Sequence, residues 1–136
     1  MGLGIFTFIY AEGFSYASSD PKVCINCHVM NHQYDTWEKS GHHHVATCND
    51  CHLPAKGIMK LVAKARNGFD HSLAFTLENF ESPILIKKHN KEILQENCVR
   101  CHEGLVHDAI LTPTGGDRQA QSCIHCHRST GHIPIQ

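Results

Sequence analysis

The sequence has no excess of charge of either sign: 12 Lys and Arg stand against 13 Asp and Glu, for a net charge of −1. That removes the electrostatic case for a nucleic-acid partner. It also lacks an apolar run of the roughly 20 residues needed to cross a bilayer. No basic segment precedes its apolar start, so neither a signal peptide nor a complete positive-inside anchor can be read from it. Nothing alternates polar and apolar residues as a strand does. At 41% hydrophobic the composition is not that of a disordered chain. What abounds is cysteine and histidine, 8 and 13 in a 136-residue chain of single-domain size.

All the cysteines fall in four units of one form: Cys24-Ile25-Asn26-Cys27-His28, Cys48-Asn49-Asp50-Cys51-His52, Cys98-Val99-Arg100-Cys101-His102 and Cys123-Ile124-His125-Cys126-His127. C-x-x-C-H is the attachment sequence of c-type haem, in which the thiols add to the vinyl groups and the adjacent imidazole lies under the iron. Zinc also takes paired C-x-x-C units, but it has no need of a histidine directly after the second cysteine. At this histidine frequency, four such neighbours arise by accident with a chance of roughly 10⁻⁴. A disulfide framework leaves them equally unexplained. The reading is four covalent haems. So many macrocycles leave little chain for an independent apolar core, so the expected class is a small, mostly α multihaem cytochrome c. Such a polypeptide should not fold without its haem. Haem propionates call for Lys, Arg or backbone donors.

Residues 2–11 are uncharged, and uncharged character resumes after Glu12 through Ser19. Two readings are open: a short buried helix, or the outer part of a membrane anchor helix that begins before residue 1. Phe6, Phe8, Tyr10, Phe14 and Tyr16, set where an anchor leaves the hydrocarbon, favour the second. The chain then divides into an anchor over 1–19 and a tetrahaem domain over 20–136, with Ser19-Asp20-Pro21 breaking the helix between them. A short helix is expected over 31–40, with Tyr34 and Trp37 packing on haem. Over 55–66 an amphipathic helix carries Ile58, Leu61, Val62 and Ala65 on one face and Lys56, Lys60 and Lys64 along another, with Asn67-Gly68 as its stop. Those lysines suit solvent, haem propionates or an anionic bilayer surface. Asp70 is expected to cap a helix through Phe80, Ser82-Pro83 to open another through about Gln95, and 111–118 to form a loop. Successive motifs start 24, 50 and 25 residues apart, which hints at a duplicated two-haem unit.

Beyond the motif histidines, nine remain as candidates for second axial ligands. His107 and His132 each lie five residues after a motif histidine, a reach of about 17 Å that suits a neighbouring haem better than their own. With His42 they are the preferred three. The first motif alone continues to a methionine, as Cys-x-x-Cys-His-x-Met30. A thioether there would be a soft ligand favouring ferrous iron and a high potential, or else a core filler. Asp70 and His71 form an acid–base pair suited to taking protons from a bound hydroxyl.

These residues resemble the NapC/NirT family of small tetrahaem quinol dehydrogenases, most closely its nitrite reductase branch. The carrying features are Cys24-x-x-Cys-His-x-Met30, the run Ser40-Gly41-His42, then Ala46-Thr47-Cys48-Asn49-Asp50-Cys51-His52-Leu53-Pro54, and the closing Cys123-x-x-Cys-His with Gly131-His132. The resemblance implies that Met30 displaces His28 as the ligand of a quinol-facing first haem, and that Asp70 sits at that haem's open side. It implies that Lys64 helps bind the quinol headgroup, that His42 is the distal ligand of the fourth haem, and that His107 has a ligand role too. Menaquinol is the implied donor. A pentahaem nitrite reductase catalytic subunit is the implied partner, in a hetero-oligomeric complex on the periplasmic face of the cytoplasmic membrane. A soluble multihaem electron shuttle and a quinol dehydrogenase serving another reductase are the alternatives.

Overall fold

The computed structural model describes residues 2–80, 83–106 and 122–133; His107 and the loop expected over 111–118 lie outside them. Every regular element among the described residues is helical. They are α1 (Gly2–Tyr10), α2 (Asn31–Glu38), α3 (Cys48–His52), α4 (Ile58–Thr76), α5 (Lys88–His102) and α6 (Cys123–Cys126), with 3-10 turns at Gly13–Ala17, Pro21–Asn26, His28–Met30 and Glu103–Leu105.

The N-terminal helix stops earlier than expected. Past Tyr10, Glu12 turns the chain with a left-handed φ of 51°, and Gly13 lays its backbone against the Phe8 ring, where any side chain would collide. Phe14 then meets Phe8 edge-on at 5.0 Å. No residue of α1 is buried against the rest of the polypeptide, and Leu3 and Tyr10 are each 80% exposed. Among the described residues no helix is long and apolar enough to cross a membrane.

A second correction concerns α4, which runs unbroken for 19 residues through Asn67-Gly68. The apolar stripe Ile58, Leu61, Val62, Ala65 continues in phase at Phe69 and Leu73, and each added residue gains a backbone bond. That outweighs the roughly 1 kcal/mol an internal glycine costs. Asn67 is held from outside as well, accepting a bond from Asn90 Nδ2 at 3.3 Å. Asp70 is therefore a mid-helix residue and caps nothing. The helix starts where Gly57 takes φ 78°, so Lys56 precedes it and the lysine row reduces to Lys60 and Lys64. Glu78 closes it in the left-handed region (φ 51°), with Asn79 N–H donating to Ala74 O at 2.9 Å and Glu78 N–H to Phe75 O at 3.2 Å.

Nor does Pro83 open a helix. The aliphatic run Ile84-Leu85-Ile86, with two β-branched residues, stays non-helical, and α5 begins at Lys88 and continues through the third motif. Around α5 the remaining elements assemble. Asn97 donates both amide protons to α3 and its exit, at 2.9 Å to Cys51 O and 2.8 Å to Leu53 O. Gln95 accepts from the Cys123 amide at 2.9 Å and so fixes the start of α6.

The polypeptide builds almost no core. Leu53, 4% exposed, is the one buried apolar residue among those described. The chain exposes 10617 Å², against about 7,100 Å² for a compact monomer of 15.2 kDa.

Candidate functional site

Three of the four C-x-x-C-H units have both cysteines on one turn of α-helix. The first instead spans two 3-10 turns: Cys24 lies in Pro21–Asn26, opened by Asp20 accepting from the Lys22 amide at 2.9 Å, Cys27 is extended, and His28 starts the next turn. The second is α3 itself. Asp50 accepts there from Thr47 N at 2.9 Å and Thr47 Oγ1 at 2.7 Å, a reciprocal cap. The third forms the last turn of α5 and the fourth makes up α6 with His127 following. None of the eight cysteines is paired in a disulfide.

The motif sulfurs lie near one another: Cys24 by Cys48, Cys51 by Cys98 and Cys101, and Cys98 by Cys123. Motif one thus adjoins two, two adjoins three through α3 and α5, and three adjoins four.

Histidine geometry tests whether haem fits. An iron held between two imidazole nitrogens at about 2 Å each keeps the ring centres roughly 6 Å apart. The rings of His52 and His132 are 6.0 Å apart with 21° between their planes, and those of His42 and His102 are 6.1 Å apart at 66°. Burial, with His132 and His71 nearby, pushes His52 down to about 4, so it is neutral at physiological pH and free to act as a ligand. His132 Nδ1 lies 2.9 Å from Gln33 O, the backbone bond by which a ligating histidine is oriented with Nε2 left free. The donor set and the missing core both suit haem. Among the described residues, no three His, Cys, Asp or Glu side chains gather as a simple ion site.

The triple histidine is resolved by its surroundings. His43 and His44 lie ring to ring at 3.6 Å, and His43 also bonds Ser40 O at 3.2 Å and meets Trp37 edge-on. His42 alone turns toward His102, a motif-three histidine, whereas the resemblance had given it to the fourth haem. Met30 is half-buried at the end of its 3-10 turn, and His28 and His127 are exposed.

Lys64 Nζ donates to Ser18 O at 2.6 Å, and Asn49 Nδ2 reaches the same carbonyl at 3.4 Å. Burial, with the Lys60 ammonium nearby, holds the Lys64 pKa below its usual value. The end of the apolar N-terminal segment, the first two motifs and α4 therefore converge at Lys64. Asp70 lies roughly 9 Å further along the helix. Its Oδ2 is 3.1 Å from Lys87 Nζ, and that bond holds its carboxyl below the usual range. For His71, the next residue on the helix, desolvation and the Lys87 ammonium lower the pKa, while the Asp70 carboxylate raises it. Lys87, Asn97 and Gln95 could not be singled out from the sequence, because their roles rest on contacts between elements far apart in the chain.

A model of the NapC/NirT cytochrome c family, N-terminal region, matches residues 1–96. The chain belongs to that family. Among curated NapC/NirT relatives it is 40% identical to the cytochrome c-type protein NrfH of Wolinella succinogenes, over all of this chain and 82% of that one. It is 32% identical to the cytochrome c nitrite reductase subunit NrfH of Nitratidesulfovibrio vulgaris, over 93% of this chain and 75% of that one. Among solved structures it resembles a chain of the cytochrome c nitrite reductase NrfHA complex bound to the inhibitor HQNO. The TM-score is 0.69 at 26% identity, covering 99% of this chain and 95% of that chain.

Proposed function

We propose that this protein is the quinol-oxidising electron-transfer subunit of a cytochrome c nitrite reductase, an oxidoreductase component that takes electrons from menaquinol and delivers them to a pentahaem catalytic subunit. The observation that carries the reading is the full-length likeness to NrfH. Residues 1–19 belong to the membrane anchor and 20–136 form the tetrahaem domain, on the periplasmic face of the cytoplasmic membrane. The exposed aliphatic and aromatic side chains of α1 support that placement, since such a surface is stable against lipid and costly in water.

The quinol headgroup docks where the N-terminal segment meets α4. The Lys64 ammonium donates to one quinol oxygen in place of Ser18 O. Asp70 accepts a hydroxyl proton at Oδ1, because Oδ2 is engaged by Lys87. When bound, the four haem groups supply one-electron redox chemistry between quinol and partner. His52 with His132 and His102 with His42 would hold two of them, His127 a third and Met30 the first, and His107 is a further donor from outside the described residues. Nitrite chemistry belongs to the partner.

The test is purification from native membranes with detergent. The expected result is co-purification with a pentahaem subunit, reduction by menaquinol, and an Asp70→Asn variant slowed at least about tenfold with four haems retained. Ready solubility without detergent, or indifference to quinol, would favour the soluble shuttle instead.

A further inference from the structure

We propose that Lys87 is a positioning residue for quinol oxidation: from the segment entering α5 it holds the Asp70 carboxylate ionised and turned so that one oxygen stays open to the quinol hydroxyl. The inference rests on the reading of Asp70 as proton acceptor. Asp70 stands on α4 and Lys87 just before α5, 17 positions away, and the ammonium reaches Oδ2 at 3.1 Å. A second side-chain bond, Asn90 Nδ2 to Asn67 Oδ1 at 3.3 Å, joins the same two elements and fixes Lys87 opposite Asp70. A mid-helix carboxylate otherwise swings freely about its side-chain torsions, and an anchored oxygen leaves its partner in one place.

A carboxylate takes a proton only while it is ionised. The charged groups facing Asp70 are Lys87 and His89 from the α5 side, with Arg66 and His71 on its own helix. Lys87 is the one that bonds it. With the ammonium present, Asp70 stays available to lower pH; without it, the carboxyl protonates sooner as pH falls and the acceptor is lost. The acid side of the pH–rate profile therefore reports on Lys87, whereas a merely structural role would scale the rate equally at every pH.

The experiment measures haem reduction by menadiol, a short naphthoquinol, in vesicles holding the full haem-loaded protein, across the acid range. Four proteins are compared: the unsubstituted chain, Lys87→Met, Lys87→Arg and Asp70→Asn, each with its haem content determined. The Lys87→Met profile should turn down about one pH unit above the unsubstituted one, with Lys87→Arg tracking the latter. Should Lys87→Met turn down at the unsubstituted pH, or lose rate equally at all pH values, the positioning role is overturned even if Asp70→Asn is slow. An Asp70→Asn variant of undiminished rate removes the Asp70 reading itself. If Lys87→Met fails to assemble, a Lys87→Arg profile displaced from the unsubstituted one overturns the proposal, and a coincident one supports it.

Discussion

Replacing Asn97 by alanine tests how the haem motifs are held in place without touching a ligand. Its amide donates to Cys51 O at 2.9 Å and Leu53 O at 2.8 Å, so it ties the second motif to the helix carrying the third. Leu53 is 4% exposed, so its carbonyl gains no water when the amide goes, an orphaned acceptor costing about 1–3 kcal/mol. Cys51 is half-buried, and its carbonyl can be rehydrated, leaving the net loss of one ordinary bond at about 0.5–1.5 kcal/mol. Together Asn97→Ala should weaken the α3–α5 joint by about 1.5–4.5 kcal/mol, or roughly 10- to 2,000-fold in the local opening constant. Amide hydrogen exchange over residues 47–54 of the haem-loaded protein reads that constant. The neighbouring exposed change Glu96→Ala, expected within about 0.5 kcal/mol of the parent, is the control. Exchange in Asn97→Ala that matched the control would refute the account of the joint.

Five other substitutions address the cap and the ligands. Asp50→Ala removes the acceptor for both Thr47 donors and should speed exchange in α3 by the equivalent of about 0.5–2 kcal/mol; unchanged exchange would show that the cap contributes nothing. His132→Ala and His42→Ala should each convert one low-spin haem to high spin, by electron paramagnetic resonance, while His44→Ala converts none; a conversion in His44→Ala would reassign the triple histidine. Met30→His should lower the potential of one haem and leave the others in place, which a spectroelectrochemical titration resolves, and four unmoved potentials would exclude Met30 as a ligand.

The sequence spoke clearly where chemistry is local. Four C-x-x-C-H units, the helix over 31–38 and the helical class all follow from spacing within a turn or two. Helix limits were less legible, because local punctuation competes with the rest of the fold. Asn67-Gly68 reads as a stop, yet the stripe through Phe69 and Leu73 and the grip of Asn90 carry α4 past it. Ser82-Pro83 reads as a start, yet the β-branched run after it delays α5 to Lys88. Among three adjacent histidines the sequence already favoured His42, through the run Ser40-Gly41-His42, but did not show which motif it would face. Its approach to His102, with His43 and His44 taken up by Ser40, Trp37 and each other, depends on the folded chain. Lys87 was invisible for the same reason: a lysine gains meaning as a partner only once the chain has brought it to a carboxylate 17 residues away.

The account depends on haem being bonded to the chain four times over and standing where a core of side chains would otherwise be. Intact mass measured on the denatured, reduced protein from native membranes tests this most directly, because thioether links survive unfolding and axial bonds do not. Four haem additions per polypeptide is the predicted result. A bare polypeptide mass, or fewer than four additions, would contradict it.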